Sequence, residues 1–152
     1  MKPMMALCML AISTAVCGGT HASDRAETVV LRGKVVELAA ALKADGLVYD
    51  AEPVTKQVVL QTAGGEVVPL ISDDASRALF HDKRLRDRPA ELHARRFQGL
   101  PYVQVVTFRV EEDGRMRTPE YYCEICTISV RYPQICPCCQ GEMVLRMKPE
   151  PR

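Results

Sequence analysis

The sequence predicts a mainly β protein: five strands with one helix between the third and fourth, followed by a small cysteine-built module. Three observations predict it. Five runs rich in Val, Leu and other strand formers lie between residues 28 and 110, and the second and third flank Gly64-Gly65. A stretch of helical period separates the third run from the fourth. Five of the seven cysteines fall between Cys123 and Cys139.

The first residues read as a leader rather than as part of the fold. Lys2 gives a positive start, Met4 to Val16 is apolar apart from Ser13 and Thr14, and Thr20-His21-Ala22 offers small residues for cleavage. That order is a secretory signal, with an apolar run too short to anchor in a bilayer. Lipidation at Cys17 fits poorly, because bulky Val16 precedes it. The expected organisation is signal peptide 1–22, β domain 23–110, linker 111–120 and cysteine module 121–148. The chain is then exported, periplasmic or secreted after cleavage near Ala22, with no membrane span in the mature protein.

The leader takes one of the 20 basic residues and no acid, so the mature chain is balanced against 19 acids. Proteins that grip phosphate backbones usually carry a basic surplus. The composition therefore gives no strong nucleic-acid signal.

The elements follow in order. Thr28 to Glu37 reads as a strand interrupted by Gly33, which suggests a bulge or bend. Leu38 to Lys43 is Ala/Leu-rich and reads as a helical turn stopped by Asp45-Gly46. Tyr49 to Thr55 reads as loop. Lys56 to Thr62 and Glu66 to Ile71 form a hairpin around Ala63-Gly64-Gly65. Ser72-Asp73-Asp74 looks like an N-cap with acids in the first turn, and Ala75, Ala78, Leu79 and Leu85 extend a helix to about Arg86. Pro89 closes it. Ala90 to Phe97 is the fourth strand, Gly99-Leu100-Pro101 a turn, and Tyr102 to Val110 the fifth strand.

Five strands, a long bent first one, and a helix between strands three and four make the layout of an OB-like barrel. Closure would also remove the edges that short strands expose. The alternative is an open sheet with the helix on one face. Residues 111–120 are charged and broken by Asp113-Gly114 and Thr118-Pro119, which reads as a hinge.

The cysteine module contains two CxxC units, Cys123-Glu124-Ile125-Cys126 and Cys136-Pro137-Cys138-Cys139, with nine residues between them. A two-residue spacing lets a tight turn aim both thiolates at one ion, and two such turns supply the four ligands of a closed tetrahedral site. Cys123, Cys126, Cys136 and Cys139 are thus the predicted metal ligands of a zinc-ribbon-like module. Cys138 is left as a spare thiol, since a Cys136–Cys138 pair would have a poorer bite. Thr127 to Tyr132 and Met143 to Met147 can form short strands around the knuckles. Iron in a rubredoxin-like arrangement uses the same ligands. Disulfides are open to an exported protein. A thioredoxin-like role needs a helix behind the first thiolate, and haem attachment needs His where Thr127 and Gln140 stand.

Other residues weigh less. His81 and His93 sit in different elements. Asp73-Asp74 is better explained by capping than by cation binding. Lys83, Arg84, Arg86, Arg88, Arg95 and Arg96 form either a solvated, helix-complementing face or an anion patch. Phe97, Tyr102 and Phe108 are the aromatics that an OB face would stack on an oligosaccharide or base. Tyr121, Tyr122 and Tyr132 read as covers for the metal core. No nucleophile elbow, metalloprotease motif or phosphate loop is present, so no catalytic residue is assigned.

The stretch from Pro119 to Gly141 resembles the C-terminus of small exported proteins of planctomycete-type bacteria whose activity is uncharacterised, and the upstream segments Asp73 to Ala78 and Gly99 to Val106 look similar to those proteins too. The resemblance implies the metal knuckles and supplies no mechanism. The expected function is a non-enzymatic binding or assembly module that meets a protein partner and carries zinc. The alternative is a redox or electron-transfer protein using the same cysteines with iron or disulfide exchange.

Overall fold

A computed structural model describes residues 26–149; the expected leader and cleavage site lie outside them. The chain is mainly β, with two sheets that meet on one core. The first sheet contains β1 (Ala26–Glu37), β2 (Val58–Thr62), β3 (Val67–Pro69), β4 (Pro89–Phe97), β5 (Val103–Glu112) and β6 (Arg115–Arg117). Their order across the sheet is β3-β2-β1-β4-β5-β6. The second sheet holds β7 (Pro119–Cys123), β8 (Ile128–Val130) and β9 (Val144–Met147) in the order β8-β7-β9.

The long β1 serves two neighbours. From Ala26 to Lys34 it pairs with β4, and from Gly33 to Glu37 with β2, all antiparallel. The handover falls on Gly33, opposite Thr62 on one side and Ala90 on the other. A Cβ there would lie 2.2 Å from the Gln61 carbonyl oxygen. Glycine is required because β2 backbone occupies the space a side chain would take.

The first sheet is not closed. Beyond the ladders, an isolated parallel bridge joins Leu70, just after β3, to Val103 at the start of β5. The Ile71 N–H donates to the Val103 carbonyl at 2.9 Å. No continuous β3–β5 ladder accompanies it among the described residues.

The helical stretch differs from the single helix expected over Asp73–Arg86. It is α3 (Arg77–His81), then an extended Asp82, then a 3-10 turn over Lys83–Leu85. Asp82 leaves the helix because its carboxylate caps the next turn, accepting from the Arg84 N–H at 3.0 Å. The expected N-cap is instead an Asx turn, in which Asp73 Oδ1 accepts from the N–H groups of Ala75 and Ser76. Two helices precede β2: α1 (Leu38–Ala44), as expected, and α2 (Ala51–Val54), a single turn where loop was expected.

Leu79 and Leu85, both fully buried, carry the segment onto the sheet, where they join Val35, Leu60, Leu92 and Val105. Each such side chain contributes roughly 1.5–3 kcal/mol on burial. Arg86 closes the end of the segment. Its guanidinium donates to the carbonyls of Leu79 and Phe80 and, at 2.7 Å, to Glu37 Oε1.

Residues 111–120, expected as a linker, are mostly strand. β5 continues to Glu112, Asp113-Gly114 turns the chain back into β6, and β7 begins at Pro119. Asp113-Gly114 with both φ positive is hairpin geometry, the reading that the charged flanks obscured. Pro119 and Glu120 are buried, and Tyr121 belongs to the main core, with Val130, Tyr132 and Leu145 packed against it.

Candidate metal centre

β7 delivers Cys123 as its last residue, and the chain turns at once through Cys126 into β8. The second knuckle, Cys136 to Cys139, is closed by a bridge between Ile135 and Glu142 and by the Cys136 N–H donating to the Gly141 carbonyl at 2.8 Å. The two knuckles share one backbone pattern. The Thr127 N–H donates to the Cys123 carbonyl at 2.8 Å, and the Gln140 N–H to the Cys136 carbonyl at 2.9 Å. Both donors sit in the left-handed region, Thr127 at φ 55° and Gln140 at φ 58°. Each stands immediately after the second cysteine of its motif.

This arrangement brings Cys123, Cys126, Cys136 and Cys139 together. Their Sγ atoms all lie within 4.8 Å of one another, and the Cys123–Cys139 pair is 3.5 Å apart. Four thiolates about 2.3 Å from a central ion would stand roughly 3.8 Å apart. A disulfide needs about 2.05 Å, and all five cysteines of the module are free. The donor set therefore fits a four-thiolate metal site; sulfur ligation of this kind suits zinc and iron alike.

The electrostatics of the cluster fit a cation. The Cys136 thiol is pulled down to about 6 by backbone N–H groups of Cys139 and Cys138, against the opposing effect of burial. The Cys126 thiol is pushed far up by the neighbouring Cys138 and Cys139 thiols and by burial. One sulfur is stabilised as thiolate while another keeps its proton, shared with the neighbouring sulfurs. A divalent ion at the centre would take the place of that proton.

Each knuckle turns its first cysteine inward and its second outward. Cys123 and Cys136 are buried, Cys126 is half-buried and Cys139 exposed. Cys138 is exposed and lies outside the group of four, with its thiol within hydrogen-bonding reach of Cys126.

Two polar contacts that residue spacing did not indicate hold the module in place. The buried Glu120 on β7 accepts from Arg146 Nε on β9 at 2.9 Å, and the two residues are register partners. The Arg146 guanidinium also lies over the Tyr122 ring, 3.3 Å from its centroid. On the other face, the Tyr121 hydroxyl reaches Asp82. Tyr121 and Tyr132, expected as covers of the metal core, instead serve the main hydrophobic core, Tyr121 within it and Tyr132 packed against it, and Arg77 lies over the Tyr132 ring.

The remaining candidates disperse. His81 ends α3, and His93 on β4 lies 3.4 Å from Glu91. Among the described residues, neither joins a group able to hold a metal. Asp73 and Asp74 are engaged by the Asx turn, by Gln104 and by Arg77. Most of the basic stretch is paired: Lys83 and Arg86 with Glu37, Arg84 with Asp82, Arg96 with Glu66. Arg88 reaches the Glu111 carbonyl. The stretch is structural rather than one anion patch. No helix among the described residues is long and apolar enough to cross a membrane.

No protein-family model, curated protein or solved structure matches this chain.

Proposed function

We propose that this chain is an exported, non-enzymatic binding or assembly module in which Cys123, Cys126, Cys136 and Cys139 hold one structural zinc ion. The observation that carries the reading is the four-sulfur cluster itself. Four thiolates complete a tetrahedral shell and leave no position for an activated water or a substrate. Such an ion acts by ordering a segment with little core of its own. The leader-like first residues support export. We read the larger sheet as OB-type: its strand order and the parallel Leu70–Val103 bridge support that topology. A protein is the partner this reading favours, and an oligosaccharide on the sheet face is the second.

One observation favours a redox reading: the Cys138 thiol beside Cys126 is placed to act as a resolving thiol. Metal analysis with an absorption spectrum of protein made in the periplasm separates the two. Stoichiometric colourless zinc supports the structural reading. Visible iron–thiolate bands, or metal-free disulfides, would sink it.

A further inference from the structure

The junction between the two sheets carries a groove formed by two adjoining hollows of about 240 and 560 Å³, which share Ala75, Val106 and Arg131. Its borders are open strand edges. Among the described residues, β6 pairs with β5 only from Val110 to Glu112 and Leu70 bridges only to Val103, so on that side β5 has no strand partner from Gln104 to Arg109. Among the same residues β8 pairs with β7 alone, which leaves its other edge open. Such edges are templates for a further strand.

The middle of the groove is shaped by a bulge. His93 pairs with Thr107 and Ala94 with Val105, so Val106 has no partner across the ladder. Val106 is 39% exposed, whereas Val103, Val105, Phe108 and Val110 of the same strand are buried. Bulges re-aim side chains in this way next to binding sites.

Charge gives the occupant. Arg95, Arg131 and Lys148 line the groove, and among the described residues no acid pairs with any of their side chains. Two acids share the lining: Asp73, which accepts from Ala75, Ser76 and Gln104 and keeps its charge, and Asp74, which pairs with Arg77, so the three cations outnumber them. Elsewhere in the basic stretch, cations sit beside carboxylates. Unpaired cations along two open strand edges match an extended acidic peptide.

We propose that the groove between β5 and β8 binds an acidic peptide segment of a partner protein as an added strand. Backbone hydrogen bonds to the open edges would give affinity. Arg95, Arg131 and Lys148 would select acidic side chains, and Val106 an apolar one. The inference rests on the reading of the chain as a binding module and gives that module its partner chemistry.

The test uses the full zinc-loaded chain and a fluorescent heptapeptide of alternating valine and glutamate, followed by anisotropy. Saturable binding is expected below roughly 1 mM. Methylating alternate peptide nitrogens, which removes backbone donors, should weaken it about tenfold or more. Joint charge reversal, Arg95→Glu with Arg131→Glu, should do the same while zinc content and unfolding midpoint stay unchanged. Four results overturn the proposal: no binding, equal binding of the methylated peptide, binding insensitive to the charge reversal, or equal binding of a single-stranded oligonucleotide, which marks a general polyanion surface. Absence of peptide binding by the unaltered zinc-loaded chain removes the groove and leaves the metal reading. Absence of zinc removes the metal reading itself.

Discussion

The hydroxyl of Tyr121 donates a 2.7 Å hydrogen bond to Oδ2 of Asp82, a residue 39 positions earlier in the chain. Both groups are buried, Tyr121 at 1% exposure and Asp82 at 7%. The bond ties β7, the strand that presents the first cysteine, to the break between α3 and the 3-10 turn. Asp82 also accepts from Arg84 Nε and Nη2, so one carboxylate organises the turn and receives the module. Tyr121→Phe keeps the ring and removes the donor. It should cost about 1.5–3 kcal/mol, the range for a hydrogen bond to a charged group, read as a lower denaturant midpoint with an unchanged slope.

The same carboxylate makes stability depend on pH. Burial pushes the Asp82 pKa up, but side-chain hydrogen bonds from Arg84 and Tyr121 and the Arg84 N–H outweigh it and hold it at about 2, below the ordinary 3.8. A folded pKa below the unfolded one means that the contribution is fully present above 3.8 and is lost as pH falls from there through 2. Because the Arg84 side chain is 65% exposed, solvent screening reduces the effect to about 1 kcal/mol. Asp82→Asn should flatten the difference between unfolding curves taken at pH 4 and pH 2. Metal release at low pH is common to both proteins and cancels in the comparison. An undiminished pH slope in the variant would show that other carboxylates carry it.

Arg86 is the buried cation whose loss should matter most. Its guanidinium reaches three oxygens, two of them the carbonyls of Leu79 and Phe80 at the end of α3. Arg86→Ala takes the guanidinium from those carbonyls and leaves Glu37 with only the exposed Lys83, and should destabilise by roughly 3 kcal/mol or more. Arg86→Lys should recover little, because an ammonium cannot fork to oxygens in different directions. Thermal unfolding of the three proteins checks the order.

The knuckle turns carry avoidable strain. Thr127 is β-branched, and its left-handed conformation costs an ordinary residue about 1–2 kcal/mol. Thr127→Gly should be stabilising by about 0.5–1 kcal/mol after the extra chain entropy of glycine is counted. Gln140→Gly should behave alike. A raised unfolding midpoint with full metal content is the expected result.

The ligand assignment predicts a contrast among neighbours. Cys136→Ser removes a buried sulfur from the four-membered group and should abolish stoichiometric metal, with a stability loss on the order of several kcal/mol. Cys138→Ser removes no member of that group and should leave metal content and midpoint unchanged. A loss of metal in Cys138→Ser would reassign the ligand set.

The residues differ in how much they disclosed in the sequence. The strands were legible because β-branched runs and the Gly64-Gly65 turn act locally. The four cysteines were legible because ligand spacing is itself a geometric statement. The broken helix was not, since Asp82 reads as an ordinary helical acid until Tyr121 and Arg84 meet it. The left-handed turns were not legible, because they fall on Thr127 and Gln140, types that hide a turn. Residues 111–120 were misread as a hinge because charge and Thr118-Pro119 mask a hairpin and a buried strand start.

Tyr121, Val130 and Leu145 come from the cysteine sheet, yet they complete the core under β1, β4 and β5. The consequence concerns transplantation. Residues 119–148 moved into an unrelated host would keep every ligand of the cluster and lose the surface those side chains rest on. The segment is not a portable cassette, because the surface it rests on belongs to the rest of the chain.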